Sequence, residues 1–322
     1  MFRVGLIEQP LHTRYSPTAL VCASYLTAIG KWVDSFWLPD HLSSLFPQSV
    51  AIAPYAGTAR LTPEIDAYYQ AWTALGYLAT RNALGRHRVG IGVSDVARRN
   101  PAVTARAAAT LHLLTRGRAI LGIGTGARAY NEPYGVEWSM PVARFEEALA
   151  TIRALWDSGG ERNAVFDLPP YRGGWPEIWI ASHGPRMLRA TGRYADAWFP
   201  AAMAMRPADY AAGLQKVRAA ASDAGRDPMS ITAAALFFVM TGGSRQLDLP
   251  AQLGVRSGAS HPTPLRECLL TGTSDDVIEQ VADWRDHGLQ YAVIFNVSGV
   301  QPSLRPAATL SLTRILRGLR KL

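Results

Sequence analysis

Short runs rich in Val, Ile, Phe and Trp alternate along this chain with longer segments whose apolar residues recur at helical spacing. The short runs fall at 2–8, 34–39, 88–94, 118–124, 177–182, 196–200, 230–240 and 290–296. They are nearly continuous in apolar residues, as strands buried on both faces of a parallel sheet are. A helical pattern follows each one, at 17–30, 64–84, 101–115, 141–157, 185–194, 207–224, 274–287 and 303–320. Local signals support several boundaries. Pro101 stands near a helix start, where a missing N–H costs little. Thr273 or Ser274 can cap the helix that carries Asp275 and Asp276 in its first turn, and Gly225 suits the position just past a helix. Eight strand–helix pairs without a linker predict an α/β fold, one (β/α)8 TIM barrel over residues 1–322, with a doubly wound open sheet as runner-up. Segments 41–63, 125–140, 158–176 and 241–272 read as irregular loops. Loops after strands lie on the C-terminal face of such a barrel, where sites are built.

Composition narrows the function classes. Hydrophobic residues at 48% against 18% charged supply a large core and argue against disorder. No run of about 18 uncharged apolar residues predicts a membrane span, and the N-terminal residues read as a strand rather than a leader peptide. Cys22 and Cys268 are the two cysteines, far apart in sequence. They suit a reducing cytoplasm and give no metal-ligand spacing, so no metal is expected. The formal charge of +8 comes almost entirely from arginine, because lysine occurs only at Lys31, Lys216 and Lys321. Arginines such as Arg98, Arg99, Arg317 and Arg320 are scattered, with no basic arm and no interleaved aromatics, so no nucleic-acid partner is expected. They read either as a solvated basic surface or as an attraction for an anionic ligand.

If the barrel forms, its site is a short list read off the strand ends: Glu8, Asp40-His41, Ser94-Asp95, 124–126, 182–185, Pro200, Met240-Thr241 and Asn296. Asp40-His41 is the most chemical of these. A histidine can exchange a proton near neutral pH, and an adjacent acid can set its charge or position; the plain alternative is a histidine bonded to loop backbone. Ser182-His183-Gly184-Pro185 ends a strand and opens a helix, which makes either an anion site at the helix N-terminus or a simple tight turn. Gly122 to Ala127 loosely satisfies the G-x-G-x-x-G/A dinucleotide pattern, but the residues that follow read as a loop instead of a helix. Those glycines either clear room for a flat ring or merely fit a crowded strand. Trp37, Trp72, Trp138 and Trp175 are candidates to wall an apolar substrate cavity.

The runs FWLPDH (36–41), RNPAV (99–103), GRAILGIG (117–124) and TGTSDDVIEQVADWRDHG (271–288) resemble luciferase-like flavin and deazaflavin oxidoreductases. RNPAV and the Asp-His pair point to the branch that uses the deazaflavin coenzyme F420. Longer runs, among them RRNPAVTARAAATLHLLTRGRAILGIG (98–124) and HGPRMLRATGRYADAW (183–198), are similar to mycobacterial lipid ketoreductases of that branch, and the resemblance covers most of the chain. It implies a bacterial luciferase-like barrel in which reduced F420 delivers a hydride to a ketone carbon of a long-chain keto-lipid, giving a secondary alcohol in cell-envelope lipid synthesis. By position, His41 matches the histidine that donates the proton or stabilises the oxyanion, and Asp40 precedes it as in the family. Val93-Ser94-Asp95 matches the strand-end bulge behind the deazaflavin ring, Asn131 a coenzyme contact, and Gly184-Pro185 the coenzyme phosphate loop, with His183 beside it. The lipid substrate implies transient membrane contact without an anchor, and a homodimer is the assembly considered. Two departures stand out. A Gly-Glu step common in the family reads Gly126-Ala127 here, and segments 158–176 and 241–272 are short against the ketoreductases. Three further readings stay open: an F420 oxidoreductase of other substrate choice, an FMN-dependent monooxygenase, and a barrel that binds coenzyme or lipid without turnover.

Overall fold

The computed structural model describes residues 2–30, 33–43, 64, 66–81, 87–158, 165–203, 205–241, 254–255, 263–264, 269–297 and 306–322. Eight parallel strands form a closed ring: β1 (Arg3–Ile7), β2 (Ser35–Leu38), β3 (Arg88–Asp95), β4 (Ala119–Gly124), β5 (Glu177–Ile180), β6 (Ala197–Trp198), β7 (Thr232–Thr241) and β8 (Tyr291–Asn296). The ring closes where β8 pairs with β1, from Arg3↔Tyr291 to Ile7↔Phe295. A further short strand, Leu269–Gly272, pairs with the last residues of β7 on the edge opposite β8. Helices follow the strands one for one: α1 (Pro17–Gly30), α2 (Ala71–Arg81), α3 (Pro101–Leu114), α4 (Pro141–Ser158), α5 (Pro185–Tyr194), α6 (Pro207–Asp223), α7 (Ser274–Asp286) and α8 (Pro306–Leu319). The (β/α)8 barrel expected from the hydrophobic pattern is therefore the observed fold.

The caps explain several boundaries. Asn100 accepts a hydrogen bond from the Ala102 N–H at 2.9 Å, with Pro101 as the first helical residue of α3. At α7, Thr273 is the cap, and it forms a reciprocal capping box with Asp276. Gly225, at φ 72°, follows α6 in the left-handed conformation that glycine adopts without strain. Some boundaries differ from the sequence pattern. Helix α2 begins at Ala71 instead of near 64, because Tyr68 pairs with Leu11 in an extended bridge. Strand β6 stops after two residues, just ahead of Pro200, which has no N–H for a ladder; pairing resumes at Ala201↔Leu236. Segment 125–140, read as loop, holds one helical turn (Arg128–Asn131) and a 3-10 turn (Glu132–Tyr134). Most of the loops expected at 41–63 and 241–272, and Cys268, lie outside the described residues.

Aromatic side chains fill the barrel interior. Trp37 packs against Trp179 and Phe199 with ring centroids 5.0 and 5.1 Å away. Below them Ser35 accepts hydrogen bonds from Trp37 Nε1 and from the Tyr291 hydroxyl, both at 2.6 Å. Of the four tryptophans considered as cavity walls, Trp72 does line one, an apolar cavity of about 520 Å³ among α2, α3 and α4. Trp37 is a fully buried barrel plug. Trp72 packs in the helix layer under the Arg99 guanidinium, and Trp175 stacks on Trp156 of α4. Trp138 is half-buried in the stretch before α4.

The glycines of β4 divide between the two readings given above. A Cβ at Gly122 would lie 2.0 Å from the Ile91 carbonyl oxygen of β3, so backbone packing excludes a side chain there. At Gly124 the nearest contact would be an ordinary 3.4 Å to Val93. Gly122→Ala is therefore expected to destabilise the barrel by about 1–3 kcal/mol through overpacking, read as a lower thermal midpoint. An unchanged midpoint would contradict this packing.

Candidate functional site

The C-terminal ends of β2, β3, β4 and β5 converge on a cavity of about 280 Å³. This is close to the lower end of the roughly 300–1,000 Å³ common for small-molecule sites. Of the residues expected at the site, His41, Val93, Ser94, Asp95, Asn131 and His183 line it. Asp40 lies behind it, buried, and Gly184 and Pro185 are not among its lining residues. Gly184 precedes α5 at φ −73° and ψ 155°, a conformation open to any residue, and a Cβ there would meet nothing within 4 Å. The fold itself does not require glycine at that position.

Each wall has a local cause. The β3–β4 register shifts between Ile91 and Ser94, and the Gly92–Val93 peptide is cis. This bulge brings Val93 to the cavity while the Ser94 hydroxyl turns to Asp40, donating to its Oδ2 at 2.8 Å. The helical turn after β4 delivers Tyr130 and Asn131. The Tyr130 ring meets His41 edge-on, with centroids 6.1 Å apart. At the mouth, the Tyr134 hydroxyl donates to the Leu42 carbonyl at 3.2 Å and ties the loops after β2 and β4 together.

Arg98 is an arginine for which the sequence left two readings open. It is not part of a solvated basic surface: its side chain is 13% exposed and lines the cavity. It donates to the Asp40 backbone carbonyl, lies 3.8 Å from the Asp40 carboxylate and 3.5 Å from that of Asp95. Arg99 approaches Asp40 from the other side at 3.8 Å. A charge count cannot distinguish such a paired, buried guanidinium from an exposed one; its place two residues before the Asn100-Pro101 helix start was the available signal.

These charges decide the state of His41. The ring keeps some exposure to the cavity but is surrounded by protein. Desolvation first, then the neighbouring Arg98 cation, push its pKa down to about 4 against the opposing pull of Asp40. His41 is therefore neutral near pH 7 and offers an imidazole N–H, not an imidazolium. The adjacent acid expected to set its charge is outweighed. Between pH 6.5 and about 4 the unfolded chain takes up a proton that the folded chain refuses, so stability falls as pH drops through that window. His87 and His112, also lowered by burial, add to the same fall. His41→Gln should make the thermal midpoint less sensitive to pH between 7 and 5. An unaltered slope would mean that His41 is not held neutral.

One feature tests the fit to a flavin-type ring. Asn131 is a fully buried residue of the cavity wall, and its Oδ1 has no hydrogen-bond partner. A buried acceptor left without a donor is costly, and a heterocycle carrying a ring N–H would supply one. On that observation the residues fit a flavin or deazaflavin head. Among the described residues no three His, Cys, Asp or Glu side chains group as metal ligands, and no helix is long and apolar enough to cross a membrane.

Comparison with known proteins bears on the family and the fold. The profile of the luciferase-like monooxygenase family matches residues 33–247. The phthiodiolone/phenolphthiodiolone dimycocerosates ketoreductase of Mycobacterium bovis is 50% identical over 379 aligned positions, covering 99% of this chain and 99% of the relative. Because that alignment is longer than the 322 residues here, the relative carries stretches with no counterpart in this chain. In fold, the chain is similar to an F420-dependent secondary alcohol dehydrogenase solved with an F420-acetone adduct (TM-score 0.73, 16% identity, 99% of both chains). It is also similar to the EDTA monooxygenase of Chelativorans sp. BNC1 (TM-score 0.71, 16% identity, 99% of this chain and 93% of that one). The chain belongs to the luciferase-like monooxygenase family of oxidoreductases.

Proposed function

We propose that this chain is an F420-dependent ketoreductase that converts the keto group of a phthiodiolone- or phenolphthiodiolone-type dimycocerosate lipid to a secondary alcohol. The observation that carries the reading is 50% identity over essentially the whole chain to ketoreductases of that name. The coenzyme, when bound, supplies the hydride to the carbonyl carbon. The protein does the rest. Asn131 offers its free acceptor to the ring head, and Val93 from the bulge backs it. His41 stands neutral at the mouth and donates a hydrogen bond from its N–H to the carbonyl oxygen as negative charge develops, and solvent water supplies the proton that completes the alcohol. Oxyanion stabilisation, not release of a proton from an imidazolium, is the role its charge state favours. The loop beginning at Gly184 receives the coenzyme phosphate at the N-terminus of α5. We place the reaction in the cytoplasm, with the lipid reached by transient contact with the membrane.

The family profile also favours a second reading, an FMN-dependent monooxygenase. Titration with F420 and, separately, FMN, followed by tryptophan quenching, separates the two. Preference for F420 is expected. Preference for FMN would overturn the ketoreductase, and binding of neither would leave a barrel without this chemistry. Gly184→Asp provides a local check. The fold leaves room for the side chain, so the variant should fold and bind F420 at least tenfold more weakly through charge repulsion, while Gly184→Ala stays near the unaltered protein. Equal affinity in the Asp variant would put the phosphate elsewhere.

A further inference from the structure

We infer that Asp95 is a positioning residue: it fixes the Asn131 amide with its carbonyl oxygen toward the cavity, so that the site selects a ring presenting an N–H donor at that edge. This inference rests on the coenzyme reading above. The two ends of an amide are alike in size and opposite in chemistry, and nothing about shape alone orients one. Here Asn131 Nδ2 donates to Asp95 Oδ2 at 2.5 Å, and Oδ1 is left buried without a partner. An ionised carboxylate can only accept, so the NH2 end must face it and the oxygen must face away.

Asp95 is itself held in place and in charge. The Ala97 N–H donates to its Oδ1 at 2.8 Å, and Arg98 Nε lies 3.5 Å from its Oδ2. Burial pushes the Asp95 carboxyl up from its ordinary range, and the donors from Asn131, Ala97 and Arg98 act against that. Beyond Arg98 stand Asp40, His41 and Arg99, and His183 reaches the cavity from the end of β5. The carboxylate is also pressed against backbone. A Cβ at Gly126, which has φ 72°, would fall 1.8 Å from Asp95 Oδ2. Gly126 is thus the position that makes room for Asp95. The departure at Gly126-Ala127 from the family's Gly-Glu step sits beside a buried carboxylate contributed by another strand.

The specificity consequence is a chemical one. A flavin or deazaflavin carries an imide N–H between two ring carbonyls; Asn131 Oδ1 pairs with that donor and rejects a ring in which a methyl group replaces the hydrogen. The test measures dissociation constants for F420 and for its imide-N-methylated form in four proteins. The unaltered protein should bind F420 and discriminate against the methylated form by about tenfold or more. Asp95→Asn frees the amide to turn, so F420 should bind about tenfold more weakly and discrimination should shrink. Asn131→Asp alone sets two carboxylates against each other and should also weaken binding. The double exchange Asp95→Asn/Asn131→Asp should recover most of the affinity, because the new amide at 95 donates to the new carboxylate at 131, whose other oxygen still faces the cavity. Asp95→Asn binding as tightly and as selectively as the unaltered protein would overturn the inference, as would a double exchange no better than either single variant. If the unaltered protein binds neither F420 nor FMN, the coenzyme reading falls and this inference with it. Loss confined to the variants leaves the reading intact.

Discussion

Replacing His41 with alanine should lower the rate of ketone reduction by about 10²–10⁴-fold, with F420 affinity changed far less. His41 lines the cavity at the end of β2, and Tyr130 holds its ring from the side. With the pKa held near 4, the side chain enters the reaction as a neutral donor at any pH close to neutrality. The rate should therefore show no acidic limb near the ordinary histidine value of 6.5, and a limb attributable to His41 should appear only near pH 4. Single-turnover measurements separate the hydride-transfer step from binding. Unaltered turnover in His41→Ala would remove the residue from the mechanism, and an acidic limb centred near 6.5 that disappears in the variant would restore the imidazolium.

Asp40→Ala should act on stability instead. The carboxylate is 5% exposed, accepts from Ser94, and stands between Arg98 and Arg99. Removing it leaves two guanidiniums without a shared counter-charge and a buried hydroxyl without its acceptor. Breaking a buried charge arrangement from one side typically costs about 3–5 kcal/mol; the 3.8 Å separations place the expected loss toward the lower end. Denaturant titration reads the loss. A change under about 0.5 kcal/mol would show that the arginines are compensated by Asp95 and backbone alone. The two predictions assign different work to neighbours in sequence: His41 faces the cavity, whereas Asp40 faces the protein and fixes the bulge of β3.

The barrel was legible because its strands are buried on both sides, which writes them as continuous apolar runs, and because caps such as Asn100 and Thr273 mark helix starts chemically. The strand ends followed from the fold, so His41, Ser94 and Asp95 could be named before any coordinate. What stayed hidden was pairing. Asn131 and Asp95 are 36 residues apart, and only the β3–β4 register brings the carboxylate under Gly126 and beside the amide. Arg98 was hidden for a related reason: its charge was visible, but not the two carboxylates that draw it inward. Trp37 and Trp175 pack in the barrel and the helix layer, because an aromatic in an α/β chain fills such layers more readily than it walls a site.

The most direct test of the account is to mix the purified protein with reduced F420 and a phthiodiolone-type ketone, following coenzyme oxidation by absorbance and the lipid by mass spectrometry. Ketone-dependent oxidation of the coenzyme is expected, with one secondary alcohol formed for each F420 oxidised. Tight F420 binding with no ketone-dependent oxidation and no alcohol would contradict it.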